Sequence, residues 1–261
     1  MTDTTPASPA FEDAPETPDV ELPKMSFLDH LEELRKRLIV SIIAIGVAFL
    51  ACWNFADKIY AWIQAPLTKF LPHGDQKLAY THLTEPFMLY MKVAFFAAIF
   101  LSSPILMWQV WRFISPGLYK RERRMAAPFI IFATAFFVLG GYFGYRVILP
   151  GACAFFVETG RQFKQMIKID EYFGFASTIM LASGAVFETP ILIFFLARLG
   201  IVTPAFLMQK FKYAVVISFI IAAVVTPTPD MVMQTFMAVP MIALYLLGVG
   251  VAYVFGKKYD T

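Results

Sequence analysis

Glu188 lies inside an otherwise apolar segment, Gly184-Ala185-Val186-Phe187-Glu188-Thr189-Pro190. A charged carboxylate at mid-membrane costs on the order of 3 kcal/mol by insertion scales, so such a group must be protonated, hydrated or paired. Two readings stay open: a neutral glutamate hydrogen-bonded to a neighbouring helix, or a functional group. Pro190 frees a backbone carbonyl one turn back, which offers a partner and kinks the helix. A second set of carboxylates is Glu32 and Glu33, four residues ahead of Lys36 and Arg37. That is the spacing of intrahelical ion pairs, worth roughly 0.2–0.5 kcal/mol each. Glu122 stands alone among Lys120, Arg121, Arg123 and Arg124, where by itself it reads as diluting a basic loop.

Catalytic constellations are missing from the pattern. His30, His73 and His82 all fall outside the apolar runs, so no histidine faces a serine inside the membrane. Cys52 and Cys153 match no disulfide framework, zinc, haem or redox spacing and read as packing residues. There is no intramembrane Asp pair, no phosphate-binding glycine loop and no His/Cys metal cluster. The expectation is a chain that is not an enzyme and carries no cofactor and no metal.

The elements that must position these carboxylates follow from composition. With 261 residues, 59% hydrophobic and only 16% charged, the chain carries more apolar surface than a soluble domain can bury. Charge-free runs near the ~20 residues of a membrane span recur. Spans are expected near Leu38–Phe55, Val93–Trp111, Met125–Tyr145, Tyr172–Ala197, Tyr213–Val225 and Met231–Val254. The fold class is therefore all-α: a polytopic bundle of six transmembrane helices. An N-terminal amphipathic interfacial helix precedes it, with Phe27, Leu31, Leu34 and Leu38 at helical spacing and Ser26 and Asp29 at its cap. The fifth span is short, so local thinning of the bilayer is an expectation there. Residues 1–24 are acidic, rich in Pro and Thr, and read as a disordered cytoplasmic tail. Residues 25–256 form the membrane domain and 257–261 a short cytoplasmic tail.

Fourteen of the 22 bases fall on one side of these spans, which puts both termini in the cytoplasm. Outside lie two long loops, about 56–85 and 147–171, with short helices expected to cap the bundle, and a tight turn at Thr226–Asp230. The echo of Ser103-Pro104-Ile105-Leu106 in Thr189-Pro190-Ile191-Leu192 reads as a shared proline kink rather than a duplication.

Several motifs then combine in order. They are His30-Leu31-Glu32-Glu33-Leu34-Arg35-Lys36-Arg37, Ala65-Pro66-Leu67, Gln109 through Tyr119, Glu122-Arg123-Arg124, Phe187-Glu188-Thr189-Pro190, and Thr226-Pro227-Thr228-Pro229-Asp230 with Gln234-Thr235. From Met25 to about Gly256 the chain resembles the TatC family, the multi-span subunits of the twin-arginine (Sec-independent) protein translocase. The resemblance implies a receptor in the bacterial cytoplasmic (inner) membrane that binds twin-arginine signal peptides of folded cargo at its cytoplasmic face. It implies export driven by the proton motive force, and as partners single-span TatA/TatB-type subunits, other copies of itself and the lipid bilayer, but no nucleic acid.

On this resemblance Glu33 and Glu122 receive the two arginines, with Arg35, Arg37 and Phe113 in support. Glu188 and Gln234 are intramembrane polar groups for a partner, and Pro66 and Asp230 are outer-loop motif positions. The chemistry suits the task, because guanidinium binds carboxylate in a two-pronged geometry that Lys cannot copy. Thr228 is an extra residue in the last outer turn relative to the family's Thr-Pro-Pro-Asp. The alternative reading is a six-span secondary transporter coupled through Glu188, which would need several polar groups converging near the midplane.

Overall fold

The computed structural model describes residues 27–71, 78–114, 126–163, 166–226 and 230–255. The acidic tail, the Ser26 cap, Glu122 with its neighbouring bases, the Pro227–Pro229 core of the last outer turn and the C-terminal tail lie outside the described residues.

Among the described residues ten α-helices follow in chain order: α1 Phe27–Trp53, α2 Ala56–Thr68, α3 Glu85–Ile114, α4 Ala126–Phe143, α5 Leu149–Thr159, α6 Ile169–Phe187, α7 Thr189–Arg198, α8 Pro204–Gln209, α9 Phe211–Val225 and α10 Met231–Phe255. Five stretches among the described residues are long and apolar enough to span a bilayer: Leu31–Trp53, Glu85–Phe113, Ala126–Thr159, Ile169–Arg198 and Met231–Val254. The shorter apolar α9 is the sixth. The amphipathic segment at the start of α1 runs without a break into the first span.

The third span is longer than its sequence suggested. Helix was expected to end at Tyr145 with a loop from Val147, yet α4 continues through a π-helical turn, Gly144–Ile148, into α5. Pro150 explains the change of register: it has no N–H to return to Arg146, and the N–H of Leu149 reaches back five residues to the carbonyl of Gly144. The fourth span is interrupted, α6 stopping at Phe187 and α7 starting at Thr189, where Pro190 cannot continue the ladder.

Close packing between α4 and α6 rests on glycine. A Cβ on Gly140 would lie 2.5 Å from the Ser183 carbonyl oxygen and 2.7 Å from Phe187 Cβ, so only a bare backbone fits there. At the outer side α2 lies over the bundle with Ile63 and Leu67 buried. The Tyr145 hydroxyl donates to the Trp62 carbonyl at 2.8 Å, and that of Tyr172 to the Ile63 carbonyl at 2.8 Å. The first of these answers a specific need, since Pro66 has no N–H with which to satisfy Trp62 four residues back. Backbone bonds of 2.9 Å from Ala79 to Ile167 and from Ile169 to Ala79 tie the two outer loops together.

Candidate functional site

On α1, residues four apart share a face, so Glu33 stacks on Arg37 and Glu32 on Lys36. Both pairs form, each at 2.8 Å, but in different surroundings. Glu32 and Lys36 point to solvent with 63% and 69% of their side chains exposed, whereas Glu33 and Arg37 keep only 15% and 21%. Arg37 Nη2 donates to Glu33 Oε1, while Glu33 Oε2 and Arg37 Nε are buried and have no partner among the described residues. A buried acceptor left unmet costs on the order of 1–3 kcal/mol, more for a charged group. The carboxylate is therefore held by one oxygen and gains by offering the other to a donor.

Arg35 is exposed on the same helix, away from this pair. Phe113 is half-buried at the inner end of α3, the helix against which α1 packs. Glu33 and Arg37 are thus brought together, Phe113 stands on the neighbouring helix, and Glu122 lies outside the described residues.

Glu188 occupies the break between α6 and α7, half-buried, with Oε1 buried and unpartnered. Its N–H bonds the Ala185 carbonyl at 3.2 Å, a tightened last turn. Gly184 packs on Phe137 across the α4–α6 contact. One turn inward along each helix are Glu188 and Thr134, so the two reach the same depth. Thr134 Oγ1, Ser183 Oγ and, on α3, Gln109 Oε1 are likewise buried without a partner among the described residues. Sequence reading singled out Glu188 but missed Thr134 and Ser183, whose small polar side chains pass unnoticed in apolar helices.

Gln234 is not part of that group. Gly248 packs on Pro190, and Gln234 stands 14 residues up α10 from Gly248, roughly 20 Å at 1.5 Å per residue. Its Nε2 donates to the Phe219 carbonyl of α9 at 2.8 Å. Asp230 caps α10, its Oδ1 accepting from the Met233 N–H at 2.7 Å. Among the described residues no group of three or more His, Cys, Asp or Glu could hold a metal ion.

Comparison with known proteins matches residues 29–240 to the family model TatC, Sec-independent protein translocase protein. The Sec-independent protein translocase protein TatC of Koribacter versatilis (strain Ellin345) is 46% identical over 236 residues, covering 90% of this chain and 87% of that protein. The protein of the same description from Escherichia coli (strain K12) is 39% identical over 223 residues, covering 85% of this chain and 86% of its own length. A crystal structure of the twin arginine translocase receptor TatC superposes with a TM-score of 0.76 at 33% identity, covering 86% of this chain and 98% of that one. This multi-pass membrane chain belongs to the TatC family.

Proposed function

We propose that this chain is the receptor subunit of a twin-arginine translocase in the bacterial cytoplasmic membrane. Here it binds twin-arginine signal peptides at its cytoplasmic face and, with single-span TatA/TatB-type subunits and further copies of itself, exports folded proteins on the proton motive force. The observation that carries this reading is Glu33, a half-buried carboxylate at the inner end of α1 with one oxygen bound to Arg37 and the other unmet.

Arg37 fixes the carboxylate's orientation without using it up. Rotation of Glu33 toward the surface would present Oε2 to one guanidinium of the peptide, exchanging an unmet buried oxygen for a charge-assisted bond. Glu122, from the loop after α3, would take the second arginine. Two carboxylates, each taking one guanidinium, would read an always-charged pair and reject Lys-Lys, whose point charges cannot fork across a carboxylate.

A role for Glu188 in receiving a polar group of a partner's single span, or water, is supported by its own buried Oε1 and the Thr134 hydroxyl at the same depth, both without a partner among the described residues.

The test is photocrosslinking of a twin-arginine signal peptide to membranes carrying the wild type, Glu33→Gln or Glu122→Gln. Expected are crosslinks that require Arg-Arg and fall at least tenfold in either variant, from the ~1.5–3 kcal/mol of a hydrogen bond to a charged group. Crosslinks unchanged in both variants would remove Glu33 and Glu122 from the receptor site.

A further inference from the structure

We propose that the inner end of the α8–α9–α10 corner is a binding site for an anionic phospholipid of the cytoplasmic leaflet. Between Glu188 and Asp230 the chain contains no carboxylate but three bases, Arg198, Lys210 and Lys212. Lys210 and Lys212 are exposed and make no ion pair among the described residues. Both ammonium groups are instead gathered over aromatic rings. Lys210 Nζ stands 5.8 Å from the Phe206 ring centre and 5.5 Å from that of Tyr213, and Lys212 Nζ is 5.2 Å from Tyr213. Aromatic rings with a polar tip belong at headgroup depth, and long basic side chains reach the same level.

The corner is built to hold this shape. Thr203 caps α8 by accepting from the Phe206 N–H at 3.2 Å, and the Tyr245 hydroxyl of α10 donates to the Leu207 carbonyl at 2.8 Å. Lys210 and Tyr213, the ring that both lysines approach, line a groove of about 280 Å³ between α8, α9 and α10, with Ile217, Ile221 and Met241 among its apolar walls. Cations at the rim and an apolar channel running into the hydrocarbon are the two halves of a phospholipid's chemistry. A phosphodiester accepts charge-assisted bonds from both ammonium groups while an acyl chain fills the groove. Charge decides the class of occupant: two ammonium groups with no ion-paired carboxylate among the described residues favour an anionic headgroup over a zwitterionic one, and the cytoplasmic leaflet supplies it.

The experiment uses the full chain purified in neutral detergent and titrated with dioleoyl phosphatidylglycerol or dioleoyl phosphatidylcholine, bound lipid being counted by native mass spectrometry. Phosphatidylglycerol should be retained in preference to phosphatidylcholine. The preference should fall about 25-fold in the Lys210→Gln, Lys212→Gln double variant, or ~5-fold for each charge near the surface. Lys210→Arg with Lys212→Arg should keep it, as should Lys168→Gln on the opposite face, and thermal unfolding of the exposed-site variants should match wild type. Equal retention by the double glutamine variant, or no preference for phosphatidylglycerol in the wild type, overturns the site. Displacement of the lipid by millimolar glycerol phosphate or inorganic phosphate would reduce it to a bare anion site and overturn the phospholipid assignment.

Discussion

Replacing Tyr145 by Phe removes one hydroxyl while leaving a ring that can keep its stacking on Trp62, 3.8 Å between centres and 23° between planes. The hydroxyl donates to Trp62 O, whose normal helical donor would be the N–H of residue 66, and residue 66 is proline. Loss of the bond should cost about 1 kcal/mol net, rising toward ~2 as the carbonyl is left without a donor. In a Pro66→Ala background the new N–H can close the helical bond to Trp62. There the same Tyr145→Phe change should cost no more than ~0.5 kcal/mol, giving a coupling near 1 kcal/mol between the two positions. Tyr172→Phe is the control, because its acceptor Ile63 has Leu67 rather than a proline four residues on, and the Leu67 N–H, which also bonds the Tyr172 hydroxyl, remains to serve the carbonyl when that hydroxyl is removed. Its cost should be independent of residue 66. The assay is reversible unfolding in mixed detergent micelles followed by circular dichroism. Additivity of Tyr145→Phe and Pro66→Ala within ~0.3 kcal/mol would refute the role assigned to the proline.

Four further outcomes follow from the packing. Gly140→Val should destabilise by ~1–3 kcal/mol or more through overlap with Ser183 and Phe187. Gly174→Ala, where a Cβ meets nothing within 4 Å, should be neutral or gain up to ~1 kcal/mol of helix propensity in the same melts. Arg37→Gln leaves Glu33 a partly buried charge without its cation, so its unfolding free energy should drop by ~1–3 kcal/mol, whereas the exposed Lys36→Gln should change it by less than ~0.5 kcal/mol. A nitroxide at Val224, 81% exposed near the outer end of α9, should collide with aqueous nickel chelate far more than one at Leu139 on α4; equal collision rates would deny that the bilayer thins or water enters beside α9.

Much of this architecture can be read from residue type. Charge-free runs mark the spans because lipid tolerates little else, and Pro190 beside Glu188 announces the break between α6 and α7. Pro104 is another such sign: it frees the Phe100 carbonyl, to which Ser103 Oγ donates at 2.7 Å, so that helix stays unbroken. Local pattern fails where a distant partner decides the outcome. The extension of α4 past Tyr145 depends on a π turn that absorbs Pro150, and nothing in the hydropathy of Val147–Thr159 separates it from a capping loop. Likewise spacing alone pairs Glu32 and Glu33 equally with the bases four residues on. Only the folded chain shows the second pair half-buried and Oε2 unmet among the described residues. Thr134 and Ser183 become visible only when α4 and α6 are seen to meet.

Depth separates the two polar regions inside the bundle. At 1.5 Å per residue the 15 residues of α9 rise about 22 Å, the 34 of Ala126–Thr159 about 51 Å, and the hydrocarbon they cross is about 30 Å. Lipid beside α9 must thin, or the helix ends must meet water inside the average boundary. The polar groups at that short outer end have internal bonds that suit either case. Thr226 Oγ1 donates to the Ala222 carbonyl, Asp230 caps α10 and Gln234 reaches Phe219. A partner arriving there must break an existing bond to form a new one. Deeper in, at the level of the α6–α7 break, Thr134 and Glu188 each keep a buried atom without a partner among the described residues, as do Ser183 about one turn outward and Gln109 on α3. A water molecule or polar side chain gains most by entering at that level, because it supplies bonds the fold itself does not make. The tall side of the bundle therefore holds the unmet demand for polar contact, and the short hairpin serves as a self-satisfied scaffold beside it.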